Sequence, residues 1–293
     1  MTIQDFPTAD WPGGKAAAVS LTFDVDAEAG WLGEGDEYAR RLTILSEGRY
    51  GVTRGVPRIL DLLARYDISA TFFVPGHTAQ HHPAMVESLL DAGHEIGHHG
   101  HLHLRSDKVS EQQQIDEIDK GLEALERLGV PRPQGYRSTS WELTPETFGL
   151  LVDRGFLYDS SCMGDDRPYV ESWDGLEILE LPVHWSLDDW PRFGWNIDGG
   201  GNVADPEELR RCWTAEFESA RAERRHTSFT MHPEVIGRPY RLGQFEQVVA
   251  HMAESGDVWF AASTRSPSWW RRDCCGWRRD PPVPLHADPA VGP

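Results

Sequence analysis

Residues 17–26 read Ala-Ala-Val-Ser-Leu-Thr-Phe-Asp-Val-Asp. The first seven form a short β-type run, and Asp24 and Asp26 close it. Two residues apart on an extended segment, two side chains share a face. One carboxylate can then bind a metal while the other stays free as a base. A plainer reading, turn or capping aspartates after a strand, stays open.

Outward from this run, strand-type segments recur at 69–74, 94–97, 134–137, 156–159, 177–181, 227–231 and 257–260. Helical patterns lie between them at 55–66, 82–92, 108–128, 144–154, 205–224 and 241–255. Pro57 near the first helix start and Gly93 after the second fit the usual punctuation. Ile115, Ile118, Leu122 and Leu125 recur at helical spacing, so one face of that helix is buried. Strand–helix alternation over the whole length predicts an α/β fold with a parallel sheet, and this many repeats predict a barrel. In a parallel barrel the chemistry sits at the carboxyl ends of the strands, where Asp24 and Asp26 fall. Residues 25–54, Gly-rich and charged, read as a long loop over that end. Segments 161–175 and 184–204, rich in Asp, Trp and Gly, read as two more. A single domain over 1–264 is expected, followed by an atypical, poorly ordered tail at 265–293 that carries Trp269-Trp270, Cys274-Cys275 and a Pro-rich end.

The formal net charge is −19 over 293 residues, which argues against nucleic acid and anionic membrane surfaces as partners. No run of 18 apolar residues suggests a transmembrane helix, and Met1–Pro7 has no basic or apolar leader character. Cys162, Cys212, Cys274 and Cys275 show no zinc-finger or thioredoxin spacing. They read as reduced thiols of a cytoplasmic protein, with Cys162 and Cys212 expected to be small core residues.

The second chemical signal is Gly97-His-His-Gly-His-Leu-His103. His99 and His103 suit two ligands on one helical turn; His98 with His101, or His101 with His103, would also serve, and spacing alone does not choose. Two imidazoles and a carboxylate leave coordination positions open, the pattern of a catalytic metal site.

Together these segments resemble the polysaccharide deacetylase-like (NodB-homology) superfamily, a distorted barrel of about seven β/α units. Five motifs occur in that family's order: Thr22–Asp26 in an Asp-x-Asp form, Glu95–His103, Gly135–Trp141, Tyr158–Ser161, and Thr230–Pro233 with Gly237-Arg238-Pro239. The resemblance covers residues 15–262 and implies roles. Asp26, His99 and His103 would hold a divalent metal, Zn²⁺ first among the candidates. Asp24 would be the base, His232 the acid, and Arg137 would orient Asp24. Trp141, Trp185 and Glu234 would contact substrate. The Asp-x-Asp form, His-Pro-x-x-x-Gly-Arg-Pro and Leu181–Trp190 resemble a subgroup of cyclic imide hydrolases, allantoinase-like enzymes and an atypical peptidoglycan deacetylase.

The expected function is therefore opening of a small cyclic imide to its half-amide. Allantoinase-like ureide hydrolysis and N-deacetylation of peptidoglycan or polysaccharide are the alternatives, and a non-catalytic metal-binding protein is the alternative of another class. A homotetramer is expected from the subgroup resemblance. After Ala262 the resemblance ends, and the Arg, Trp, Cys and Pro bias fits translation in a shifted frame.

Overall fold

The computed structural model describes residues 11–262. In chain order the strands are β1 (Ala17–Asp24), β2 (Thr71–Val74), β3 (Glu95–His98), β4 (Gly135–Tyr136), β5 (Tyr158–Asp159), β6 (Tyr169–Trp173), β7 (Leu176–Glu180), β8 (Trp195–Asn196), β9 (Gly200–Gly201), β10 (His226–Met231) and β11 (Val258–Phe260). One sheet runs β10-β1-β2-β3-β4-β5-β7-β6, with β11 beside the first residues of β1. Within it only the β6–β7 hairpin is antiparallel. The sheet curls into an incompletely closed barrel, as expected. A parallel bridge between Asp188 and Thr230 brings the chain after β7 alongside β10.

The helices are α1 (Ala29–Leu32), α2 (Leu42–Tyr50), α3 (Val56–Arg65), α4 (Gly76–His81), α5 (Pro83–Asp91), α6 (Glu111–Arg127), α7 (Pro145–Asp153), α8 (Trp190–Phe193), α9 (Pro206–Glu223), α10 (Pro233–Ile236) and α11 (Pro239–Glu254). Each long helix turns an apolar stripe to the sheet. On α3 the stripe is Val56, Ile59, Leu62 and Leu63, all buried; such side chains each contribute about 1.5–3 kcal/mol by leaving water. They join Phe23, Phe72, Trp213, Phe217, Phe229 and Phe245 in one continuous core. β1 has all eight residues buried, as expected of a strand with neighbours on both edges and packing on both faces.

Three expected loops are corrected. Residues 25–54 hold α1, a 3₁₀ turn at Asp36–Arg40 and α2, and α2 runs through a π-helical turn, Gly51–Gly55, into α3. Glycines suggested a loop here, but Gly48, Gly51 and Gly55 permit close helix packing: a Cβ on Gly55 would stand 2.2 Å from the Pro233 carbonyl oxygen. Segment 161–175 contains β6, joined to β7 by an Asp174-Gly175 turn with positive φ at both residues, the requirement of a tight two-residue hairpin. Segment 184–204 contains α8 and the β8–β9 ribbon. Cys162 is only partly buried and Cys212 is exposed on α9, so Cys212 is not a core residue. The tail 265–293 lies outside the described residues. No described helix is long and apolar enough to cross a membrane.

Candidate active site

The central polar residues of the site sit at or just beyond the carboxyl ends of parallel strands. Asp24 ends β1 and Asp26 follows it; His99, Arg137 and His232 directly follow β3, β4 and β10. Asp26, His99 and His103 converge with donor atoms close enough to hold one ion. His99 Nε2 stands 3.4 Å from Asp26 Oδ1, and His103 Nε2 stands 3.4 Å from Asp26 Oδ2. These separations are long for hydrogen bonds, but adjacent donors on one tetrahedral ion stand about 3.3 Å apart. Asp26 Oδ1 is buried without a hydrogen bond, and His99 Nδ1 lies 2.7 Å from the Arg137 carbonyl oxygen. That contact makes Nδ1 the protonated nitrogen and leaves Nε2 as the donor to a metal. The residues present fit a His₂–carboxylate metal set.

The helical-turn reading of His99 and His103 is corrected. Residues 99–103 form an irregular turn, with Gly100 and His103 at positive φ. Glu117 of α6, buried, accepts the backbone N–H groups of His101, Leu102 and Leu104 and so fixes the turn. His98 points the other way: its Nε2 meets the Ile118 carbonyl, and its ring stacks on Tyr136. His101 is not in the metal group; its Nδ1 packs 2.6 Å from where a Cβ on Gly76 would stand.

Arg137 is fully buried and donates Nη1 to Asp24 Oδ1 (2.7 Å) and Thr22 Oγ1 (2.8 Å). Its Nε and Nη2 donate to the Ser160 carbonyl and hydroxyl, and its guanidinium lies over the Phe73 ring. The Tyr158–Ser161 segment thus holds Arg137 and does not line the cavity. On the opposite side, His232 Nδ1 donates to Asp189 Oδ1 (2.8 Å), with Asp188 Oδ1 at 3.6 Å. Asp188 and Asp189 were missed as partners in the sequence, where their segment read only as a loop rich in Asp, Trp and Gly. The backbone pairing of Asp188 and Asp189 with Thr230, two residues before His232, emerges only in three dimensions.

The charges are tuned by these contacts. Burial would raise the Asp26 carboxyl, but His103, His99 and His232 together hold it well below its usual range. Burial opposes a charge on His232, yet Asp189, Asp188 and Asp26 raise it well above an ordinary imidazole. Burial pushes Asp188 up to about 7, and burial with the nearby Asp26 charge keeps Glu234 well above the carboxylate range.

These groups open into a cavity of about 550 Å³. Its walls include Trp31 and Tyr38 from the first insertion, Trp141, Trp185, Trp190 and Asp198. Trp141 and Trp185 stack with centroids 4.3 Å apart. Glu234 also lines it, with Oε2 buried against Gly51 and unpartnered. The structure brings all nine sequence-derived site residues together, Arg137 through its contact with Asp24.

Comparison with known proteins adds the family. The polysaccharide deacetylase family matches residues 13–156. The peptidoglycan deacetylase of Helicobacter pylori is 30% identical over 267 residues, covering 81% of this chain and 90% of that one. A solved Mycobacterium smegmatis protein described as a polysaccharide deacetylase superposes with a TM-score of 0.87 at 37% identity, covering 96% of this chain and 99% of that one. The Puue allantoinase structure shares the fold, with a TM-score of 0.81 at 24% identity over 92% of this chain and 94% of that one. A buried Asp-x-Asp at the end of the first barrel strand, two histidines after the third and a matching relative along most of its length place this chain in the polysaccharide deacetylase family.

Proposed function

We propose that this chain is a metal-dependent hydrolase that opens small cyclic imides to half-amides. The observation that carries the reading is the cavity itself. It has the size of a small-molecule pocket, is walled by aromatic rings, and among the described residues has no lysine or arginine in its lining. That suits a compact neutral ring better than an anion.

Asp26, His99 and His103 would hold the metal. When bound, a divalent ion supplies Lewis acidity, polarising the substrate carbonyl and acidifying a water. Asp24, oriented by Arg137, takes the proton of the attacking water as its oxygen bonds to the carbonyl carbon. His232, kept protonated by Asp189, gives a proton to the departing nitrogen as the C–N bond breaks. Trp141 and Trp185 offer a flat face for the ring, and Glu234 offers a polar contact in the same cavity.

A second reading, N-deacetylation of a glycan, is favoured by the similarity to the Helicobacter pylori peptidoglycan deacetylase. Succinimide, maleimide, hydantoin, allantoin and N-acetylglucosamine oligomers assayed in parallel with metal-loaded protein separate the readings. Turnover of the oligomers alone would overturn the imide reading. In Asp24→Asn, retained metal with lost turnover is expected; an unchanged rate would overturn the assignment of the base.

A further inference from the structure

Behind Arg137 lies a second buried acidic group that the mechanism above does not use. β5 and β7 pair in parallel with Asp159 opposite Glu180, each the last residue of its strand and each fully buried. Glu180 Oε1 accepts the backbone N–H groups of Ser161 (2.9 Å) and Cys162 (3.0 Å). Asp159 Oδ1 accepts the Ser161 hydroxyl (2.9 Å). The two remaining oxygens, Asp159 Oδ2 and Glu180 Oε2, are buried without a hydrogen-bond partner among the described residues, and the two carboxyl groups bring oxygens within 4.8 Å of each other. Two ionised carboxylates side by side without water repel strongly; one proton between them removes the repulsion and satisfies both free oxygens.

The pair connects directly to the catalytic side. Ser161 Oγ, held by Asp159, accepts the Ser138 N–H (2.8 Å). Ser160, one residue along, accepts Arg137 Nε (3.0 Å) and Nη2 (2.9 Å). The acid pair therefore fixes residues 160–161, and these fix residues 137–138.

We propose that Asp159 and Glu180 share one proton and act together as an anchor that positions Arg137 and, through it, Asp24. The pair keeps one negative charge near the guanidinium and keeps a closed hydrogen-bond pattern. Burial pushes Asp159 up to about 6 and Glu180 further, in line with a retained proton. The other titratable groups facing the pair are Tyr136 and Arg137 from the β4 side, Cys162 after β5, and Tyr169 and Glu171 from β6. Cys162 stands close enough to complete a metal-binding trio with the two acids. A metal there would need its thiolate, and burial with Glu180 and Asp159 nearby pushes that thiol far up, away from the thiolate form. A proton fits this surrounding better than a cation.

Glu180→Gln places a permanent N–H donor where the proton stands and keeps Oε1 as acceptor. Glu180→Ala removes both. The activity arm rests on the reading of Asp24 as base, and uses whichever amide or imide the metal-loaded wild type turns over. In Glu180→Gln, kcat and KM should stay within about threefold of wild type; in Glu180→Ala, kcat should fall about 10- to 100-fold with KM little changed, as for a misplaced catalytic group. Wild type minus Glu180→Gln infrared difference spectra at neutral pH should show one protonated carboxyl band that shifts in D₂O. Metal analysis should give the same content in both proteins. Absence of the band, or equal loss of kcat in the Gln and Ala variants, overturns the proposal. One extra metal equivalent in wild type, missing from Glu180→Gln, overturns it in favour of a cation site. If Glu180→Ala fails to fold, the Gln variant, the infrared band and the metal content decide; the last two do so even if no substrate is found.

Discussion

The ion pair between Asp24 and Arg137 permits a test of the site that needs no substrate. Both side chains are sealed, at 3% and 0% exposure, and their contact is 2.7 Å. Removing one partner of such a pair strands the other charge and costs about 3–5 kcal/mol. Arg137→Met also leaves the Ser160 carbonyl without its donor, adding about 1 kcal/mol. Thr22 Oγ1 and Ser160 Oγ keep donating to the Phe229 and Leu181 carbonyls, so they lose little. The expected cost of Arg137→Met is thus about 4–6 kcal/mol. In Asp24→Asn the amide oxygen still accepts from Arg137, so about 2–3 kcal/mol is expected. The double variant leaves no buried charge unpaired at this position. Its expected cost is about 3–4 kcal/mol, well below the sum of about 6–9 from the single changes. Urea unfolding of all four proteins with a chelator present, and with slopes compared, measures the cycle without contributions from bound metal. Additivity within about 0.5 kcal/mol would show that the two charges do not depend on one another and would refute the reasoning.

Asp189→Asn should lower kcat by about 10²-fold or more while leaving metal content unchanged, because a neutral amide still accepts from His232 Nδ1 but no longer supplies the charge that keeps the imidazole protonated. Since Asp189 helps raise the His232 imidazole, its loss should move the alkaline limb of the rate profile to lower pH; a fixed limb would count against His232 as the acid. Gly55→Ala would set a Cβ 2.2 Å from the Pro233 carbonyl oxygen, so calorimetry should show a loss of about 1–3 kcal/mol, with reduced turnover as His232 and Glu234 shift. His98 is neutral when folded, pushed by burial to about 3 from 6.5. Its contribution is complete above the unfolded value and is lost as pH falls from 6.5 toward 3. Wild type should therefore lose up to ~1.4 kcal/mol more per pH unit in that window than His98→Gln; parallel urea titrations would contradict this.

The parts of the fold carried by periodicity were legible in the sequence. All eight strand segments read there occur, as do the six long helices, because a buried strand and an amphipathic helix each declare themselves locally. The insertions were not. Asp174-Gly175 is a hairpin signal, but β6 is only partly buried and carries polar residues, so its strand character was faint. In α2 and the π turn, glycines that serve helix packing looked like loop formers. At the site, residues adjacent in sequence to a strand end, such as Asp24, Asp26 and His99, could be found. Glu117, Asp188, Asp189 and Glu180 could not. Each acts through a long-range contact on a backbone or ring that no local pattern marks.

The backbone gives an account of the same site that does not depend on motifs. Among the described residues, seven that are not glycine have positive φ: Ala27, Asp67, His103, Ser140, Trp141, Asp174 and Arg224. Asp174 sits in a hairpin turn, and Asp67 and Arg224 close the ends of helices, where such angles are routine. Ala27, His103, Ser140 and Trp141 have no such local reason, and all four line the cavity. A left-handed non-glycine residue costs about 1–2 kcal/mol, so the fold holds several kcal/mol of strain around one pocket. Surrounding structure over-determines three of them: Glu117 clamps the turn before His103, and the Ser106 and Ser138 hydroxyls donate to the Glu142 carbonyl just after Ser140 and Trp141. Strain of this kind persists where the displaced side chains have a task. His103 turns its Nε2 toward Asp26, and Trp141 lays its ring on Trp185. The energy that would relax these angles is the energy that aims a metal donor and an aromatic wall at the same space.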